Sequence, residues 1–257
     1  MRFFLAVLAG AALYAVIERL SARARKRQRG LFGAWPIRQV RIQEFDPSFT
    51  ADERGPTVDT EAWFLGTGTF SVVGGTSDFE AWILAAMAKH ALRMFEFGTC
   101  TGKTTYLWAR NSAPAARIAT ITLAPDARDR VVAAAGDRAK DVRTSADEST
   151  FTRFVYSGTP VESKIEQLYG DSKALDETPY EGTMDLIFVD GSHAYSYVMS
   201  DAKKAMRMVK PGGVVLWHDY RGPWRSAGVF KALNELSRTV PLVHIAGTSF
   251  VAYRRPR

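Results

Sequence analysis

The sequence predicts an α/β domain in which a mainly parallel, doubly wound sheet of seven strands carries helices on both faces. Three observations predict it. Short apolar runs recur between stretches of helical period, and that alternation builds parallel sheets through crossover helices. One run, Met184 to Val189, is almost wholly apolar, as a strand buried on both faces must be. The run ending at Phe97 opens directly into Gly98-Thr-Cys-Thr-Gly102. A strand, a tight glycine turn and a helix bring backbone N–H groups close to a ligand.

The first 30 residues stand apart. Phe3 to Ile17 is apolar all round, and six basic residues follow between Arg19 and Arg29. We expect an N-terminal apolar helix over 1–30 that anchors the chain to a membrane through its basic flank. A span needs about 17–25 residues, so a short span and a helix lying at the interface both remain open. A secretory signal carries its charge ahead of the apolar stretch. Here the charge follows it, which places the remaining chain on the cytoplasmic side.

Removing that segment changes the meaning of the charge. The whole chain carries +7, but residues 31–257 carry only +1. No nucleic-acid partner is expected of a nearly neutral domain. The single cysteine, Cys100, excludes an internal disulfide and fits a reducing compartment.

Residues 31–76 show no clean period and recurrent Gly and Pro, which reads as a linker and an irregular lid. The domain proper is expected over 77–257. Ser77-Asp-Phe-Glu80 is a capping box that opens a helix reaching Leu92. A strand follows over Leu92–Phe97, then a helix from Thr104 to Arg110. Ile118–Leu123 is the second strand. Pro125 and Asp126 open a helix to about Lys140. Phe151–Tyr156 is the third strand, and Ile165 to Ser172 a helical turn with its loop. Met184–Val189 is the fourth strand, Tyr195–Val209 a helix, and Lys210-Pro-Gly-Gly213 stops it. Val214–Trp217, a helix over Ser226–Arg238, and strands over Val240–Ile245 and Phe250–Tyr253 complete the series.

The glycine turn excludes two common motifs. A phosphate loop needs four residues between its first glycine and Gly-Lys-Thr, and only three separate Gly98 from Gly102. The dinucleotide fingerprint fails because Cys100 stands where its second glycine belongs. The pattern Glu96-x-Gly98-x-x-x-Gly102 instead resembles motif I of the class I S-adenosylmethionine-dependent methyltransferases. Met184 to His193 and Lys210 to Tyr220 resemble the second half of the small-molecule, catechol-type O-methyltransferases.

That resemblance implies a Rossmann-like fold, S-adenosyl-L-methionine as cofactor, and methyl transfer to an oxygen of a small-molecule substrate. It puts Glu96, Gly98, Thr99, Cys100, Gly102 and Thr104 around the cofactor's amino-acid end, and Asp171 and Ser172 beside the adenine. Thr122 stands where the family holds the ribose with an acid; a neutral bond there replaces a charge-assisted one about twice as strong. Asp190, His218 and Asp219 fall on the family's Mg²⁺ ligands. A histidine among them favours Mn²⁺, Fe²⁺ or no metal. His193 falls on the family's proton-accepting lysine, and its ordinary pKa near 6.5 suits a general base. Cys100 has no histidine near it in sequence and reads as a small hydrophobe. Trp217 and Tyr220 read as packing at strand ends. A non-catalytic, membrane-tethered binding or scaffold domain of the same fold is the alternative.

Overall fold

The computed structural model describes residues 7, 9–17, 20, 35–63, 65, 75–131, 133–149 and 151–257. Residues 9–17 are helical with exposed side chains. Among the described residues no helix is long and apolar enough to cross a membrane. Most of the basic flank expected to anchor the chain lies outside the described residues.

The order along the chain is β1 (Arg38–Val40), α1 (Ile42–Phe45), a small hairpin of β2 (Ala51–Asp52) and β3 (Gly55–Pro56), α2 (Asp78–Ala88), β4 (Arg93–Phe97), α3 (Lys103–Asn111), β5 (Arg117–Thr122), α4 (Ala139–Glu148), β6 (Ile165–Tyr169), β7 (Met184–Val189), α5 (Tyr195–Met208), β8 (Val209–Trp217), α6 (Ala227–Leu236), β9 (Val243–Ile245) and β10 (Val251–Arg254). Eight strands form one sheet in the order β1-β9-β10-β8-β7-β4-β5-β6. Strand β10 runs antiparallel to both neighbours, and every other adjacent pair is parallel.

The sheet therefore has one strand more than the seven expected. The addition is β1, which pairs with β9 through Arg38, Gln39 and Val40. It lies in the stretch read as linker and lid, where three residues are too few to show a period. That stretch also feeds the core: Ile37, Val40, Ile42 and Phe49 are buried.

Two further expectations are corrected. The third strand of the series is Ile165–Tyr169, not Phe151–Tyr156. Its partly exposed Ile-Glu-Gln-Leu-Tyr pairs with β5 at the sheet edge, so it lacks the apolar run that marks a central strand. Phe154 and Tyr156 instead stack on each other, with ring centroids 5.2 Å apart, beneath the glycine turn. The helix expected from Pro125 to Lys140 is a 3₁₀ stretch over Pro125–Arg130, followed later by α4. Asp137 interrupts it by accepting from the backbone N–H groups of Ala134 and Ser196, each at 2.8 Å.

The core lies on both faces of the sheet. Val198, Ala202, Val229 and Leu233 from α5 and α6 pack on one face. Ile83, Leu84 and Met87 from α2 and Trp108 from α3 pack on the other. Each fully buried side chain of this size contributes about 1.5–3 kcal/mol, which fixes the sheet and hence the positions of its strand ends. Trp217 and Tyr220 belong to this core at 1% exposure each, in agreement with the packing role expected of them.

Candidate active site

The glycine turn leaves β4 and enters α3. Gly98 has φ +100°, and a Cβ there would lie 2.4 Å from the carbonyl oxygen of Asp190. The turns after β4 and β7 thus pass each other with no room for a side chain. Gly102 has φ +79°, and a Cβ there would meet the Tyr156 ring at 2.7 Å. Cys100 between them also takes a left-handed conformation, φ +45°. Burial pushes its thiol up to about 11, which removes it as a nucleophile at neutral pH.

Glu96 braces this turn from below. It is 2% exposed, and one carboxyl oxygen accepts from the hydroxyls of Thr105 and Thr120, the latter at 2.7 Å. Thr120 Oγ1 lies 2.8 Å from Thr99 Oγ1, which also accepts from Gln167 Nε2 at 3.2 Å. Burial lifts the Glu96 pKa to about 8 against those hydroxyl bonds. The group is therefore largely protonated at neutral pH.

A cavity, partly open to solvent, lies over the carboxyl ends of β4, β5, β6 and β7. Gly98, Cys100, Thr122, Gly170, Ser172 and Asp190 from those strand ends line it. Tyr197 and Asp201 of α5 close one wall, and Glu148 and Ser149 at the end of α4 another. Glu96, Thr99, Gly102, Thr104 and Asp171 are not part of the lining. Asp171 accepts from the Lys173 backbone N–H at 2.9 Å and from the Tyr197 hydroxyl at 3.0 Å, and so fixes the loop around Ser172.

A titratable cluster adjoins the cavity and shares Asp190 and Ser192 with it. His193 Nε2 lies 2.5 Å from Asp219 Oδ2, and Arg221 Nε lies 2.9 Å from Asp219 Oδ1. His218 Nδ1 donates to Asp190 Oδ1 at 2.9 Å. His218 Nε2 stands 3.6 Å from Glu80 Oε2, an ion-pair distance too long for a hydrogen bond. Glu80 in turn accepts from the backbone N–H of Ser249 at 2.6 Å and of Ser77 at 2.8 Å.

Mutual pairing sets the charges. Burial opposes charge on His218, yet Asp190, Asp219 and Glu80 around it hold its pKa well above the ordinary value. Burial alone would raise Glu80, but His218 pulls it down to about 2. Asp219, bonded by both histidines, is likewise held well below the carboxylate range despite its burial. His193 is raised: burial pulls it down, and the bond to Asp219 outweighs that.

Donor atoms of Asp190, His193 and Asp219 all lie within 4.8 Å of one another. They form a candidate metal set of two carboxylates and an imidazole. His218, expected among the ligands, is buried beneath them with Nδ1 turned to Asp190. Sequence reasoning missed three residues here. Glu80 showed only its capping pattern, Arg221 follows the His-Asp-Tyr stretch, and Asp201 sits in mid-helix. Their roles depend on contacts between elements far apart in the chain.

Residues 95–220 match the sequence family described as a methyltransferase domain. Over that stretch the chain carries a methyltransferase domain. Among solved structures, this methyltransferase resembles the SAH-bound methyltransferase PaMTH1 of Podospora anserina, at 16% identity over 71% of this chain and 80% of that one, with a TM-score of 0.51. The O-methyltransferase TomG of Streptomyces achromogenes, solved in complex with SAM, is 19% identical over 70% of this chain and 82% of that one, with a TM-score of 0.48. The O-methyltransferase of Bacillus cereus in complex with SAH is 16% identical over 72% and 84%, with a TM-score of 0.46. No curated protein matches the methyltransferase.

Proposed function

We propose that the methyltransferase uses S-adenosyl-L-methionine to methylate an oxygen of a small molecule, with His193 as the base. One observation carries the reading: a cavity over the ends of β4, β5 and β6 runs into the paired His193 and Asp219 through the shared Asp190.

The bound cofactor supplies an electrophilic methyl carbon. The chain supplies alignment and proton removal, the two contributions such a transfer needs. Gly98 and Cys100 hold the amino-acid end through their backbone, Thr122 faces the ribose, and Gly170 and Ser172 border the base. Asp219, itself held by Arg221, fixes the His193 ring so that the imidazole takes up the acceptor's hydroxyl proton at the ring atom turned to the substrate. The non-catalytic scaffold alternative has no observation in its support.

A second reading of the same cluster is favoured by the convergence of Asp190, His193 and Asp219. These three would hold a divalent cation, and a set containing imidazole suits Mn²⁺ or Fe²⁺ better than Mg²⁺. The ion would polarise the acceptor oxygen and lower its pKa. Turnover that survives chelation supports the His193 base; turnover lost with chelator and restored by Mn²⁺ supports the ion.

Isothermal titration with S-adenosylmethionine and S-adenosylhomocysteine tests the function itself, followed by methyl-transfer assays on phenols and catechols. We expect saturable binding of both. Absence of binding at millimolar concentration overturns the reading.

For the N-terminal segment we infer an interfacial anchor on the cytoplasmic side of a membrane, supported by the apolar run and the basic residues after it. Such a helix buries its apolar side chains at the headgroup boundary and holds anionic lipid with its arginines. Carbonate or high salt should release the full chain from membranes, and deletion of residues 1–30 should render it soluble. Recovery of the intact chain in the soluble fraction overturns the anchor.

A further inference from the structure

Glu148 is a carboxylate in the cavity wall for which the described chain supplies no cation. It is the last residue of α4, is half-buried, and lines the cavity with Cys100, Asp190 and Ser192. No hydrogen bond or ion pair joins it to another described residue. It also stands outside the set of Asp190, His193 and Asp219 whose donor atoms converge.

Its charge acts on two sides. Burial raises the Cys100 thiol at the glycine turn, and the Glu148 charge adds to that rise. On the other side Glu148 interacts with His193, Asp190 and Asp219. The carboxylate therefore stands between the turn that leaves β4 and the pair that takes the acceptor's proton. Burial raises its own pKa, His193 opposes that, and the like charges of Asp190 and Asp219 reinforce it.

The rest of the lining points the same way. Its ionisable side chains are Cys100, Glu148, Asp190, Tyr197 and Asp201, and no lysine, arginine or histidine lines the cavity among the described residues. A carboxylate drawn out of water is costly unless a cation pairs with it. An anionic ligand here would meet like charge, whereas an ammonium group would supply the missing partner. We propose that Glu148 selects the acceptor by pairing with an ammonium group on the same small molecule whose hydroxyl lies at His193. The acceptor is then a hydroxylated amine. This rests on the O-methyltransferase reading above.

The test titrates three phenols of similar shape into the full-length protein saturated with S-adenosylhomocysteine. They are tyramine, para-ethylphenol and para-hydroxyphenylpropionate, which are cationic, neutral and anionic at neutral pH. The homocysteine compound carries no sulfonium, so the cofactor's reactive cation does not compete for Glu148. Tyramine should bind about tenfold more tightly than the neutral phenol, and the anionic one more weakly still. In Glu148→Gln, which keeps the shape and removes the charge, the three should fall within about threefold of one another. Glu148→Ala provides the same comparison if the glutamine variant does not fold. Equal binding of the three phenols by the unaltered protein overturns the proposal, as does an unchanged order in a folded variant. A matching loss of S-adenosylhomocysteine affinity in the variant also overturns it, because Glu148 would then serve the cofactor's amino group. If S-adenosylhomocysteine binds and no phenol does, the proposal falls while the cofactor reading stands. If S-adenosylhomocysteine itself fails to bind, the function reading falls, a separate result.

Discussion

His193 Nε2 faces Asp219 Oδ2 across 2.5 Å, joining the loops that follow two adjacent parallel strands, β7 and β8. Neither residue is near the other in sequence, and the register Val189 to Trp217 brings them together. Asp219 holds its position with φ +62°, a conformation that costs a non-glycine residue on the order of 1–2 kcal/mol. Its bonds to His193 and Arg221 offset that strain. The pair orients one nitrogen of the imidazole.

His193→Ala should lower kcat by about 10²–10⁴-fold, the usual contribution of a positioned base. His193 is not in the lining of the cofactor cavity, so the dissociation constant for S-adenosylhomocysteine should stay within about threefold. Kinetics on the first confirmed acceptor, paired with calorimetry, separates the two quantities. An equal loss in both would return His193 to a structural part.

Asp190→Ala should damage activity more than Asp171→Ala. Asp190 lines both the cavity and the cluster and accepts a hydrogen bond from His218 Nδ1 at 2.9 Å. Its removal leaves a buried imidazolium between fewer carboxylates, a loss of about 3–5 kcal/mol for a buried pair. Asp171 only fixes a loop through Tyr197 and Lys173. Comparable turnover in the two variants would contradict the placement of Asp190 beside the reacting centre.

Gly98→Ala should be far more harmful to folding than Gly102→Ala. The first Cβ meets backbone atoms of Asp190 and Gly191 at 2.4–2.7 Å; the second meets chiefly the side chains of Tyr156 and Phe154 at 2.7–3.0 Å. Backbone on both sides cannot yield, whereas an aromatic ring turns aside. With both φ values positive, we expect about 1–2 kcal/mol for Gly102→Ala and roughly twice that for Gly98→Ala. Urea midpoints decide the order.

Glu96 makes stability depend on pH. Its folded pKa of about 8 lies above the ordinary value of 4.5, so the folded chain keeps a proton that the unfolded chain releases between those values. The corresponding stability is present below pH 4.5, declines as pH rises, and is lost above about 8; its size is on the order of a few kcal/mol. Glu96→Gln cannot titrate. The variant should lose less stability than the unaltered protein between about pH 5 and pH 8.5, and parallel curves from chemical denaturation would refute this origin.

The apolar run Met184 to Val189, the capping box at Ser77 and Glu80, and the spacing of Gly98 and Gly102 each act through neighbours close in the chain. They made the parallel core, the start of α2 and the ligand turn legible without coordinates. Met184–Val189 and the capping box occur as written. The strand Ile165–Tyr169 was hidden because an edge strand that is half exposed needs no apolar run, and its pairing with β5 spans the chain. Strand β1 was hidden because three residues carry no period.

The sequence by itself determined the fold class and which strand ends carry chemically capable side chains, because apolar period and turn chemistry are local properties. It named Asp190, His193, His218 and Asp219 but could not apportion them. Only the tertiary structure decided that His193 pairs with Asp219, that His218 is buried between Asp190 and Glu80, and that Asp201 is buried beside Ser172. Burial and charge pairing depend on which segments meet in space, and through them the site acquires its protonation states and its free hydrogen-bonding atoms.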